Sequence, residues 1–100
     1  MYQAVFPREL TETEAALIDR GVVQIAALVA AKVTGRGLII NNGDDAYSWD
    51  FILVDASKDE QRDFDERVLE MITGYIQAGF PDAALKQVKH RAPKIAIKND

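Results

Sequence analysis

Apolar positions recur along this chain in two rhythms, and each change of rhythm marks an element. YQAVF (2–6) alternates as a short strand and is stopped by Pro7. Thr11 followed by Glu14 forms a capping box, so a helix is predicted to begin near Glu12. It continues through Ala15, Leu17, Ile18, Val22, Ile25, Leu28, Val29 and Val33, and ends at Gly35 and Gly37. Its second half, GVVQIAALVAAKV, is apolar almost all round, which predicts that helix 22–33 buries most of its surface in the fold or in a dimer.

Period two returns at LII (38–40) and YSWDFILV (47–54). NNGDD (41–45) between them reads as a hairpin turn. Tyr47, Trp49, Phe51 and Leu53 share one face of the return strand, the predicted core face, and Ser48, Asp50, Ile52 and Val54 share the other. Ser57 and Glu60 form a second capping box. In the helix that follows, Phe64, Val68, Met71, Ile72 and Tyr75 fall together on the predicted buried side. Gly79 reads as a left-handed cap, DAALKQVK (82–89) as a short helix, and KIAIK (94–98) as an edge strand guarded by lysines. The order β-α-β-β-α-α, with that C-terminal edge strand, predicts a single α+β domain over residues 1–100. It is a small two-layer domain: a hairpin-containing sheet with two main helices on one face.

Charge changes the picture. Of 100 residues, 48% are apolar and the formal net charge is −4. That balance hides a polarity along the chain. Residues 44–70 hold ten acids and three bases, whereas residues 86–98 hold five bases and no acid. There is no cysteine, which excludes disulfides and thiolate chemistry and fits a reducing cytoplasm. No apolar run is long enough to span a membrane, and MYQAVFPREL does not read as a secretory signal.

Candidate catalytic chemistry is thin. His90 is the only histidine, set in the basic segment KHRAPK without a partner to orient it as a base. The chain lacks nucleophile-elbow, phosphate-loop and zinc-helix motifs, and is read as non-enzymatic with no cofactor. Asn41, Asn42, Asp44 and Asp45 offer oxygen ligands, but not at the spacing of a calcium loop, and a plain turn explains them. Tyr47 and Trp49 could stack on bases, but the acids around them repel phosphate, so direct nucleic-acid binding is not expected.

The strongest candidate surface is acidic. Asp59, Asp63, Glu66 and Glu70 lie within about 60° of one another on the helix side opposite the apolar stripe. They span about 16 Å at the helical rise. Such repeated charge approximates the spacing of a phosphate backbone and would suit a groove that normally holds nucleic acid. With Asp50 and Asp55, these four acids are the predicted contact residues for a protein partner with a basic surface. The plain alternative is a solvated helix face. The element order, with Ala56-Ser57-Lys58-Asp59-Glu60 opening an acidic last helix, resembles the DNA-damage-inducible DinI family. The resemblance covers the element order and those five residues, while the first helix here is longer and more apolar. It implies a modulator whose acidic helix acts on RecA. Small acidic inhibitors carried by phages and plasmids share this surface character. The sequence thus predicts an acidic inhibitor or modulator. A structural homodimer or larger homo-oligomer assembled through helix 22–33 is the alternative, and a small enzyme or metal-binding protein the third reading.

Overall fold

Two local signals fix the helices in the structure, a computed structural model that describes residues 1–43 and 47–87. Thr11 Oγ1 accepts from the Glu14 N–H at 3.1 Å, and Glu14 Oε1 accepts from the Thr11 N–H at 3.0 Å, opening α1 (Glu12–Val33). Ser57 and Glu60 repeat the reciprocal pair at 3.1 and 3.0 Å and open α2 (Lys58–Gly79). Each box satisfies N–H groups that a helix start otherwise leaves without acceptors. Gly35, at φ 69°, turns the chain out of α1 while its N–H donates to the Ala30 carbonyl at 3.0 Å. Gly79 differs from expectation. It is the last helical residue and is not left-handed, and Phe80 (φ −135°) closes the helix.

The strands are β1 (Tyr2–Val5), β2 (Leu38–Asn42), β3 (Ser48–Leu53) and β4 (Ala84–Gln87). They form one antiparallel sheet in the order β2-β3-β1-β4. The architecture is the expected α+β two-layer domain, with both helices on one face of the sheet. One element changes type. Residues 84–87, expected in a short helix, pair with β1 from Tyr2↔Gln87 to Val5↔Ala84. A four-residue stretch gains little as a helix, whereas here β1 offers it a ladder. Gln77 Nε2 also pins the preceding turn by donating to the Ala83 carbonyl at 2.9 Å. The edge strand expected at 94–98 lies outside the described residues.

From Trp49 onward alternation sets the core as predicted, but Tyr47, expected on that face, precedes β3 at φ 70° and is only half-buried, and Ser48, expected on the other face, is buried. Trp49, Phe51 and Leu53 of β3 are buried against the helices with Tyr2 and Ala4 of β1. From α1 come Ile18, Val22, Ala26, Val29 and Ala30, and from α2 Phe64, Val68, Ile72 and Ile76. Helix 22–33 is thus only partly internal. Leu28 is 60% exposed and Ile25 half-buried, because Ala26 and Ala30 take the inward positions. In α2 the buried residues lie strictly four apart, and such a row winds around the helix. Met71 and Tyr75, expected in the core, are carried to the rim and are 48% and 37% exposed.

Candidate functional site

The site is built on the outer side of α2, whose inner side is fixed by part-buried polar bonds as well as by apolar packing. Gln61 Oε1 accepts from the Leu53 N–H at 3.1 Å, and its amide donates to Asp65 Oδ1 at 3.2 Å. The same oxygen accepts from the Tyr2 hydroxyl at 3.0 Å. Burial, reinforced by the negative charge of Asp65, pushes the Tyr2 phenol well above its usual pKa, so it stays protonated and donating. Across the sheet, Trp49 Nε1 donates to Asp19 Oδ1 at 2.8 Å and ties β3 to α1. Asp65 and Asp19 are therefore structural acids, and the rotation of α2 about its axis is fixed.

That rotation places Asp59, Glu66 and Glu70 in solvent and leaves Asp63 half-exposed, all on one outer stripe. The stripe carries more compensation than its sequence suggested. Arg62 pairs with Asp59, and Arg67 Nε donates to Asp63 Oδ1 at 3.0 Å. These are exposed pairs within one helix, worth a few tenths of a kcal/mol each. Glu66 and Glu70 form no ion pair among the described residues.

The two outlying contact residues separate. Asp55 lies two residues before the Ser57 cap, at the end of α2 that carries Asp59. Its carbonyl accepts from Arg36 at 3.0 Å, and it takes a left-handed φ of 51° that aspartate tolerates. Asp50 does not join the stripe. Strand alternation sends it to the sheet face away from the helices, where it is half-buried and 3.7 Å from the N-terminal amine. The acids of β3 and α2 are neighbours in sequence but lie on opposite sides of the two layers. Asp44, Asp45 and His90 lie outside the described residues, as does the basic segment beyond Lys86 and Gln87.

An apolar strip beside the acids was not foreseen. Leu17 and Leu28 on α1 and Met71 and Tyr75 on α2 are all exposed on the helical layer. The helices are antiparallel, so the start of α1 meets the end of α2, and the Tyr75 hydroxyl donates to the Leu17 carbonyl at 3.0 Å. Between them lies a groove of about 430 Å³ lined by Leu28, Val29, Lys32, Arg67, Glu70 and Met71. The signal for it was present: a helix apolar all round cannot bury every side in a two-layer domain of 100 residues. Among the described residues no group of three or more acidic, histidine or cysteine side chains is placed to hold a metal ion. No described helix is long and apolar enough to cross a membrane. Comparison with protein-family models, with curated proteins and with solved structures finds no match.

Proposed function

We propose that this protein is a non-enzymatic binding protein, an acidic inhibitor or modulator that covers a basic, nucleic-acid-binding surface of a partner protein. The contact face is the outer side of α2. One observation carries the reading: Glu66 and Glu70, one turn apart, form no ion pair among the described residues, and Glu70 lines the exposed groove with Leu28 and Met71. A surface of this kind offers charge for steering and desolvation of apolar area for affinity. The pairs at Asp59 and Asp63 are weak enough for a partner's cations to displace Arg62 and Arg67. The acidic last helix in which this chain resembles the DinI family, and the surface charge it shares with small phage- or plasmid-encoded inhibitors, support the same reading. A cytoplasmic setting belongs to the same reading, since a chain without cysteine suits a reducing compartment.

Salt-dependent capture tests it. Immobilised protein should retain a basic, nucleic-acid-binding protein from its native host at low ionic strength. Retention should fall steeply as salt rises, and added nucleic acid should compete. Capture that is indifferent to both salt and nucleic acid contradicts the reading. The alternative, a homo-oligomer subunit assembling through helix 22–33, draws on the outward Leu28 and the exposed Ala27 and Ala31.

A further inference from the structure

The two outer strands of the sheet are treated differently. β4 carries Lys86 and follows Pro81 and Asp82, residues of the kind that discourage edge pairing. β2 is LIINN: no charge, no proline, and an unbroken register with β3 from Leu38↔Leu53 to Asn42↔Trp49, so no bulge. Its backbone phase is defined at both ends. Val54 N–H donates to the Gly37 carbonyl, and Gly43 N–H to the Ser48 carbonyl, each at 3.1 Å. In an antiparallel ladder the bonded positions alternate, so residues 37, 39, 41 and 43 bond inward to β3. Leu38, Ile40 and Asn42 therefore direct their N–H and C=O groups outward. No described residue pairs with them.

Beside this edge the apolar positions are Leu38, Ile39 and Ile40, and the exposed Asn41 and Asn42 follow them, one on each face. On the open face Ile39 sits opposite Ile52, 49% and 44% exposed. On the helix face a cavity of about 350 Å³ runs between Ala27, Ala30 and Ala31 of α1 and Leu38 and Ile40 of β2, with no ionisable side chain in its lining. Of the charges that flank β2 in sequence, Arg36 and Asp44, the first is held by Glu60 at 2.9 Å. The edge is thus an uncharged strip on a molecule of net charge −4.

We infer that β2 pairs antiparallel with β2 of a second copy of this chain, joining two four-stranded sheets into one. The strip is complementary to itself. A two-fold axis at Ile39 sets Leu38 opposite the second copy's Ile40, so the outward groups of one strand meet those of the other. It also stacks Ile39 on its own counterpart. Over Leu38–Ile40 apolar groups then meet apolar groups on both faces, the relation an isologous interface requires, while Asn41 and Asn42 fall opposite the second copy's Gly37 and Arg36. Ala27 and Ala31 are exposed on α1 beside this edge and leave room for the second helical layer. This interface is independent of the acidic face, and it differs from assembly through Leu28.

Sedimentation equilibrium at about 100 μM decides it. The unmodified chain should show twice the chain mass. Ile39→Lys places two lysines opposite each other and should raise the dissociation constant at least about tenfold. Because Ile39 is half in solvent, circular dichroism should remain unchanged. Leu28→Lys, on the outer helical face, should leave the dimer intact. In the unmodified chain, exchange protection of the Leu38 and Ile40 amides should rise with protein concentration. A single-chain mass at about 100 μM, a dimer that survives Ile39→Lys but not Leu28→Lys, or protection independent of concentration would each overturn the inference.

Discussion

The two long helices begin alike and end up with different jobs. Each runs 22 residues from a hydroxyl–glutamate capping box, and each buries a stripe against the same sheet. Outside that stripe they diverge. α1 turns Leu17, Ala27, Leu28 and Ala31 to solvent, whereas α2 presents Asp59, Asp63, Glu66 and Glu70. The lesson is that start signals and inner stripes build the fold, while the outer faces are left free of folding constraint. An outer face that is apolar or of one charge sign therefore says more about binding than the core does.

The largest expected effect tests the inner stripes. Ile72 and Val22 are fully buried, one on each helix. Ile72→Ala should cost about 2–5 kcal/mol in chemical denaturation. Leu28→Ala, conservative in the same sense but outward, should stay within about 0.5 kcal/mol. Similar losses at Ile72 and Leu28 would erase the inner–outer distinction.

A glycine pair sharpens the comparison at about 1 kcal/mol. A Cβ at Gly74 of α2 meets nothing within 4 Å, so Gly74→Ala should stabilise the protein by about 1 kcal/mol through helix propensity. A Cβ at Gly21 of α1 would fall 2.2 Å from the Tyr75 ring. Tyr75 must then swing out and give up its bond to the Leu17 carbonyl, so Gly21→Ala should show little or none of that gain. Equal melting-temperature increases would mean that Tyr75 does not pack on α1.

The smallest effect separates the two caps by pH. Arg8 grips the Glu14 carboxylate with both terminal nitrogens, at 2.8 and 2.6 Å. Those bonds, with the Thr11 N–H, hold its pKa at about 2, below the usual 4.5. Glu60 is lowered too, first by the Ser57 N–H and then by Arg36. A depressed folded pKa adds stability that is complete above about pH 4.5 and fades as pH falls through the folded value. The melting-temperature gap between the parent and Glu14→Gln should narrow over that window, and more than the gap for Glu60→Gln. A gap independent of pH would mean that the Arg8 grip does not form.

Much of this was legible because it is local. Thr11/Glu14 and Ser57/Glu60 act within one turn, and Trp49, Phe51 and Leu53 declare their face by alternation alone. What was not legible depends on distant partners. Ala84–Gln87 is a strand only because β1 lies beside it. In α1, where Ile25, Ala26, Leu28 and Ala30 are all apolar, periodicity has no contrast with which to choose an inward side. Met71 and Tyr75 were misplaced because an ideal angular wheel ignores the drift of a four-residue row. Asp50 was grouped with the α2 acids by sequence proximity, although β3 sends it through the sheet to the far side. The Tyr2–Asp65 and Trp49–Asp19 bonds join residues 63 and 30 positions apart, beyond any local pattern.

The acidic face itself is tested most directly by Asp59→Asn, Asp63→Asn, Glu66→Gln and Glu70→Gln in one chain. Melting temperature and retention of the captured basic partner should be measured on the same preparation. Exposed changes of this kind move stability by about 0.5 kcal/mol or less each, and relief of like-charge repulsion offsets part of the two lost pairs. The fold should therefore survive, while retention at low ionic strength is lost and its salt dependence flattens. A folded quadruple variant that retains the partner as strongly as the parent, with the same salt dependence, would contradict the claim that the outer face of α2 is the contact surface.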